Sequence, residues 1–277
     1  MGLRINTNVQ AMAAQRATGL NFQNVQKSQE KLSSGSRIVR SADDAAGLAI
    51  STNMNADIRS MRQAARNAGD GVSLIQTAEG GMSEIGNILI RMRELSIQGA
   101  SDTIGDRERS FIDKEVFQLR EEIERIAVST EFNGKKLLVG NQEQVEVQVG
   151  VRNVPTEDRI AIDLAKMSSN LETLGIRDLS VATKEASQEN LNKLDESIKM
   201  LSQSRSELGA YQNRLDATIR NLQVYDENLS AAKSRIADAD VAEVATALTK
   251  DNILSSSSVA VLGQANHNSK LALSLLG

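Results

Sequence analysis

Residues 58–95, IRSMRQAARNAGDGVSLIQTAEGGMSEIGNILIRMREL, decide the fold class of this chain. Their apolar side chains recur in steps of three and four, which is the spacing of one face of an α-helix. At about 1.5 Å per residue this stripe is roughly 55 Å long, a length typical of helical rods rather than of compact globules. The stripe consists of Ile58, Met61, Ala65, Ala68, Val72, Ile75, Ala78, Met82, Ile85, Leu89, Met92 and Leu95.

Two further stretches repeat this periodicity. One covers residues 112–126 and the other residues 191–236, which at about 1.5 Å per residue is roughly 70 Å long. Aromatic residues make up only 2% of the chain, so Ala, Leu, Ile, Val and Met must fill the core between the helices. The three stripes therefore predict a mainly α fold, a long bundle whose helices pack along coiled-coil-like seams.

The region around Pro155, the only proline, has a different pattern. Valines alternate with other residues over 145–151, and apolar residues alternate again over 160–164. A period of two is typical of β-strands, so the sequence predicts one β-hairpin near residues 144–164. Gly134 is interpreted as the left-handed end of the second helix, and the residues after it are a candidate third strand.

Composition excludes several kinds of chemistry. The chain has no cysteine, which removes disulfides and thiolate catalysis, and its single histidine, His267, leaves one candidate imidazole base. No cofactor is predicted. A net charge of −4 gives no indication of nucleic-acid binding. Asp43 with Asp44, and Asp238 with Asp240, precede helical stripes and are interpreted as helix N-terminal acids.

Targeting signals are absent from the sequence pattern. The first residues, MGLRIN, contain no apolar core and no small-residue cleavage site, so no Sec signal is predicted. No run of about 18 apolar residues is present, so no membrane insertion is predicted. A cytosolic protein and a protein exported without a cleaved signal both fit this pattern.

Both ends of the chain carry motifs that resemble those of bacterial flagellin. At the N-terminal end these are EKLSSGSRI at residues 30–38 and ADDAAGLAI at 42–50, and EFNGKKLL follows at 131–138. At the other end they are SRIADAD at 234–240 and QAN with LSLL within 264–276. The motifs occur in family order along nearly the whole chain.

The resemblance implies a domain organisation and a function. Residues 1–43 and 237–277 are expected to pair as an inner coiled-coil domain, and residues 44–236 are expected to form a helical rod domain with the hairpin. Only residues 165–188 stand where many flagellins insert outer domains, so a minimal core form is expected. Such a chain would be exported unfolded by the flagellar type III system. It would assemble into the extracellular flagellar filament, the passive propeller of swimming.

The resemblance also implies partners. These are further copies of the chain, an export chaperone that binds the C-terminal segment, the filament cap protein and a hook-associated junction protein. Neither nucleic acid nor a membrane is among them. The apolar seams of the terminal segments are expected to form the assembly interface, through Val9, Met12, Leu20, Leu254, Val259, Val261, Leu262, Ala265, Leu273 and Leu276.

A further implied partner is Toll-like receptor 5. Arg91 and Leu95 match the family segment that this receptor recognises, and Glu115 matches on the next helix. Ile90 departs from the glutamine usual in strongly recognised members.

Two other functions remain as alternatives. A junction protein of the hook–filament boundary would have similar termini. A flagellin with a peptidase domain is disfavoured, because the insert is missing and one histidine cannot form the two-histidine zinc motif.

Overall fold

The computed structural model of the chain describes residues 7–140 and 144–274. This part is mainly helical, as the sequence predicted, and contains six α-helices and two small antiparallel sheets. In chain order the elements are α1 (Val9–Ser34), α2 (Ala45–Gly99), α3 (Asp106–Ser129), β1 (Glu131–Phe132), β2 (Lys135–Lys136), β3 (Gln144–Gln148), α4 (Pro155–Asp158), β4 (Arg159–Asp163), a 3₁₀ turn (Ala165–Met167), α5 (Lys184–Ala237) and α6 (Val241–Ser274).

The chain divides into two compact units. The central unit is Arg59–Asp226, and the terminal unit combines the described residues up to Ile58 with those from Glu227 onward. Both long helices, α2 and α5, run through both units. The predicted domains 1–43, 44–236 and 237–277 stay a prediction, because packing within one chain does not test which segments act together in a polymer.

The core of the central unit lies where the apolar stripes predicted it. Ile75, Met82, Ile85, Leu89 and Met92 on α2 are fully buried. They pack in one cluster with the stripes of α3 and α5, including Val116, Ile123, Leu194 and Leu208. Ala78, Gly81 and Gly86 lie between these large side chains, which suits close packing of long helices with few aromatic rings.

Residues 164–181 contribute a part of the core that periodicity did not reveal. Seven of their apolar side chains are buried, although beyond the short 3₁₀ turn the segment follows neither a helix nor a strand. Side chains of α5 hold it in place: Ser197 Oγ donates to the Leu174 carbonyl at 2.7 Å, and Asn190 Nδ2 donates to the Ser180 carbonyl at 2.6 Å. The buried residues are Leu164, Met167, Leu171, Leu174, Ile176, Leu179 and Val181.

The predicted β-hairpin is confirmed. β3 and β4 are antiparallel, with Val145 opposite Ile162 and Val147 opposite Ile160. The connection contains the short helix α4, which begins at the proline, since proline suits the first helical turn. Gly150 packs so closely against Asp158 that a side-chain carbon would overlap that carboxylate.

The interpretation of Gly134 as a helix end is wrong. α3 ends earlier, at Ser129, and the Thr130 N–H and hydroxyl both donate to the Ile126 carbonyl. Asn133 and Gly134, with φ of 49° and 78°, form the two-residue turn between β1 and β2. An Asn-Gly pair with two positive φ angles is the preferred connection of a tight hairpin. The candidate third strand therefore belongs to a second, separate hairpin.

Candidate assembly interface

Helices α1 and α6 of the terminal unit pair antiparallel along their length. Near the start of α1, Asn8 Nδ2 donates to the Ala265 carbonyl at 3.0 Å. Further along, Asn21 Nδ2 donates to the Leu254 carbonyl at 3.3 Å. Contacts therefore move toward the start of α6 as α1 advances. This pairing of N- and C-terminal helices confirms the predicted fold class.

The seam between these two helices is built from small residues. Within the described parts of the two helices, the buried side chains are Ala14 and Ser28 on α1 and Ser255, Ser258 and Ala265 on α6. Small residues let two helix backbones approach closely, but they bury little apolar area. Since most helix stability comes from packing an apolar face, this pair is weakly stabilised by its own contacts.

Many large apolar side chains of both helices are exposed to solvent outside the seam. Val9 and Leu20 are each 61% exposed on α1, and Ile253 is 62% exposed on α6. Exposed apolar surface of this extent is typical of a protein–protein contact site. Six of the residues predicted for the assembly interface are exposed: Val9, Met12, Leu20, Leu254, Val259 and Val261.

The other predicted interface residues have different positions. Leu262 is half-buried and Ala265 is buried, and both continue the face of α6 that carries Ser255 and Ser258. These two residues therefore lie on the intrachain seam, and their part in assembly stays a prediction. The side chains of Leu273 and Leu276 lie outside the described residues.

Three exposed apolar residues on these helices were missed by the sequence analysis. Phe22 on α1 and Val241 and Ile253 on α6 are each more than half exposed. They fall outside the three-and-four stripes from which the interface was predicted. Phe22 still carried a signal, because it is one of only four phenylalanines and lies within a segment of mostly polar and small residues.

One aspartate of each pair caps a helix. Asp44 Oδ1 accepts the Gly47 N–H at 2.8 Å at the start of α2, and Asp240 Oδ1 accepts the Ala242 N–H at 2.9 Å at the start of α6. Asp43 instead accepts the N–H groups of Arg40 and Val39. The hydrogen bond from the Arg40 N–H holds the pKa of the Asp43 carboxyl below its usual value, with a smaller contribution from Val39.

The residues matched to receptor recognition separate into two environments. Arg91 lies on the surface of α2, where its guanidinium binds Glu115 of α3 at 2.8 Å and Glu94 at 3.2 Å. The Glu115 hydrogen bond is the main cause of the raised pKa of Arg91. Leu95 is only 2% exposed and belongs to the core. A receptor could therefore reach Arg91 and Glu115 but not the Leu95 side chain in this structure.

The one histidine of the chain, His267, is exposed on α6. Within residues 7–140 and 144–274, no three His, Asp or Glu side chains lie close enough to hold a metal ion. Over the same residues, no helix has both the length and the apolar character to cross a bilayer.

These features define a helical structural protein whose paired terminal helices present apolar side chains to the surroundings. Two family models match the sequence: the bacterial flagellin N-terminal helical region over residues 5–143 and the C-terminal helical region over residues 191–276. The chain belongs to the bacterial flagellin family, whose members are structural subunits of the flagellar filament.

Relatives match over essentially their whole length. The chain is 46% identical to flagellin of Halalkalibacterium halodurans over 274 residues, covering 98% of this chain and 99% of that one. It is 41% identical to the flagellar filament 33 kDa core protein of Treponema phagedenis over 285 residues, with the same two coverages. It is 40% identical to Bacillus subtilis flagellin over 304 residues, covering 99% and 100%. No large variable domain is present, which confirms the minimal core form.

Solved structures agree on the fold. A crystal structure of Bacillus cereus flagellin matches with a TM-score of 0.50 and 29% identity, covering 61% of this chain and 94% of that one. A hook-associated protein of Vibrio parahaemolyticus matches with a TM-score of 0.58 and 15% identity, covering 71% and 100%. At that low identity, the second likeness concerns the fold alone.

Proposed function

We propose that this filament subunit polymerises with copies of itself through the exposed apolar side chains of α1 and α6. The observation that carries the proposal is the exposure of Val9, Leu20 and Ile253, each with about three fifths of its surface in water. Burial of apolar surface stabilises a contact by about 25 cal/mol per Å². A neighbouring copy presents the same apolar surface, so contact between the two copies removes both surfaces from water.

The distribution of these side chains favours an open polymer. On α6, Leu254 and Val261 share one face because they are seven residues apart, whereas Val259 lies about 140° away from Leu254 at roughly 100° per residue. One helix pair can therefore contact neighbours on more than one side. Contacts between different faces of successive copies extend into a helical filament when the rotation between copies does not close a ring.

The ends of the chain become ordered as part of this assembly. In the proposal, residues 1–43 and 237–277 form the inner coiled coil of the filament and residues 44–236 lie around it. The sparse burial of α1, limited to Ala14 and Ser28 in its described length, supports a pairing that is marginal in an isolated subunit. Association then supplies the contacts that offset the ordering entropy.

The proposal also includes the export route of the subunit and its partners at the two ends of the filament. The subunit is proposed to leave the cell unfolded through the flagellar type III system and to act outside the cell. Before export, the apolar residues of α6 need a cover, which an export chaperone bound to the C-terminal segment would provide. The cap protein and the hook-associated junction protein are the partners proposed at the two ends of the filament. No enzymatic activity is proposed.

Recognition by Toll-like receptor 5 is proposed through Arg91 and Glu115. Their side chains are about half exposed and joined by an ion pair, so they offer a fixed surface on two helices. Arg91→Ala should lower activation of cells that express this receptor, with Arg66→Ala, on another exposed part of α2, as the matched control. Equal activation by wild type and Arg91→Ala would contradict this proposal.

The composition of sheared filaments tests the main proposal against the junction alternative. If the chain is the filament subunit, it should make up most of the protein mass of the sheared material by quantitative mass spectrometry. A junction protein would be present in a few copies per filament, and that result would overturn the proposal.

A further inference from the structure

We propose that residues 35–39 and 236–239, called the clasp below, fix the register in which α1 pairs with α6, and that Arg37 is the positioning residue of the clasp. The inference rests on the proposed function, in which the α1–α6 pair carries the assembly surface. It assigns a role to residues that are not themselves part of that apolar surface.

The clasp joins the segment that follows α1 to the segment at the end of α5 through backbone hydrogen bonds. Gly35 ends α1 in the left-handed conformation, with φ of 66°. The Arg37 N–H donates to the Ala237 carbonyl at 2.8 Å, and the Ala239 N–H donates to the Gly35 carbonyl at 3.0 Å. Ser36 and Asp238 are thereby opposed as an isolated antiparallel bridge.

The Arg37 side chain strengthens this bridge at the end of α5. Its Nε and Nη2 both donate to the Ile236 carbonyl, at 3.1 and 2.7 Å. The last carbonyls of a helix lack intrahelical donors and carry the negative end of the helix dipole, so a guanidinium is well suited to this place. Ser36 Oγ lies 2.9 Å from the same turn, at the Ala237 carbonyl.

The α1–α6 seam itself discriminates poorly between registers. Its fully buried side chains are Ala and Ser, which interlock little with the facing helix. Larger side chains on this face, including Leu32, Leu248 and Leu262, are only half-buried, so they interlock less deeply than the core side chains that fix the register of coiled coils. Directional contacts are therefore needed to set the register.

The observed register is constant from the clasp to the far end of the pair. Ser36 lies opposite Asp238, and Asn8 bonds to Ala265, so the two pairs have nearly the same sum of residue numbers. The clasp lies at the end of the α1–α6 pair where the chain continues from α1 into α2 and from α5 into α6. Near this end α2 and α5 are joined by a hydrogen bond from Lys233 Nζ to Asn55 Oδ1 at 3.1 Å. A contact fixed at this end sets the register of every turn beyond it.

Cysteine pairs can measure this register, because the chain has no cysteine of its own. Asn21→Cys with Ser258→Cys reports the observed register, since Asn21 Nδ2 lies 3.3 Å from Ser258 Oγ. Asn21→Cys with Leu262→Cys reports a slip of one turn. Each pair is placed in the wild-type chain and in Arg37→Ala, and the rate of intrachain disulfide formation under mild oxidation is followed by gel mobility.

The wild-type background should favour the 21–258 disulfide, and Arg37→Ala should lower the ratio of 21–258 to 21–262 disulfide by about tenfold, the order expected for loss of charge-assisted hydrogen bonds. Arg37→Lys retains the charge and one donor direction, so it should restore part of the ratio. Arg40→Ala is the matched control: it removes a neighbouring arginine that pairs with Glu30 at 2.6 Å outside the clasp, and the ratio should not change.

An unchanged ratio in Arg37→Ala would overturn the role of Arg37. Failure of the 21–258 pair to form a disulfide in the wild-type background would overturn the register itself. Both disulfides are read on the unpolymerised subunit, in which oxidation traps the marginally stable α1–α6 pair, so neither result depends on polymerisation. Failure of the wild-type chain to assemble on filament seeds would instead contradict the proposed function.

Discussion

Leu20→Ala tests the apolar contact surface at one of its two most exposed side chains on α1. Leu20 is 61% exposed in the subunit, and alanine keeps the helix propensity while removing three side-chain carbons. At about 0.8 kcal/mol per buried carbon, and with about three fifths of that area left to bury in the polymer, each subunit should lose about 1.5 kcal/mol of contact free energy. The critical concentration for seeded growth should therefore rise about tenfold.

The assay is sedimentation of polymer grown on sheared filament seeds over a series of subunit concentrations. Gln15→Ala is the control, because it changes an exposed polar residue of the same helix without removing apolar contact area. The unfolding temperature of the isolated subunit should be the same for both variants and the wild type. A critical concentration for Leu20→Ala within twofold of the wild-type value would refute burial of this side chain between copies.

Four further substitutions have expected outcomes. Leu262→Asp places a charge at a half-buried position of the α1–α6 seam. Seeded assembly should therefore be lost, and amide hydrogen exchange in α6 should become faster. Normal filaments would show that the seam tolerates the charge. Gly150→Ala should lower the unfolding free energy by about 1–3 kcal/mol in urea titrations, because the hairpin connection has no room for the methyl group. Gly69→Ala, which meets open space on α2, should be neutral or stabilising; equal effects of the two would contradict this packing. The hydrogen bond from Lys184, and then its charge, lower the pKa of Asp102 from 3.8, so this pair should stabilise the fold above about pH 3.8 and lose that effect as the pH falls further. Asp102→Asn should therefore be less stable than wild type near neutral pH and equal to it in stronger acid, and a gap in thermal melting that persists in acid would exclude this pair as its source.

The long helices were predictable because their burial follows one simple period. Once Ile75, Met82 and Leu89 recur on one face, helix geometry alone requires a neighbour along that face. The hairpin was predictable for the same reason, since alternation at Val145 and Val147 separates a buried face from an exposed one.

Two parts of the fold were not predicted correctly. One is the turn at Gly134, which depends on local turn geometry, and the other is segment 164–181, whose buried residues follow no regular spacing. Gly134 was assigned to a helix end because a left-handed glycine serves both helix ends and hairpin turns, and only the pairing of Phe132 with Lys135 distinguishes them. The buried residues of 164–181 follow an irregular path, so no spacing marks them. Their positions depend on contacts with α3 and α5 that are distant in sequence.

The exposed apolar face of the terminal helices was predictable in part. Apolar seams in the terminal helices indicated contact with neighbours, and Val9, Leu20 and Val261 are exposed as such contacts require. The sequence could not separate the seam that faces α1 from the seam that faces outward, because both repeat in steps of three and four. For this reason Leu262 and Ala265 were grouped with the outward-facing residues.

Seeded assembly of a chain that ends at residue 236 tests the central claim most directly. This truncation removes α6 and keeps the complete central unit, so its subunit should remain folded and melt with the same cooperative transition. Light scattering and electron microscopy should show growth of filaments from seeds with the full chain and none with the truncated chain. Filaments of normal diameter grown from the truncated chain would contradict polymerisation through the paired terminal helices.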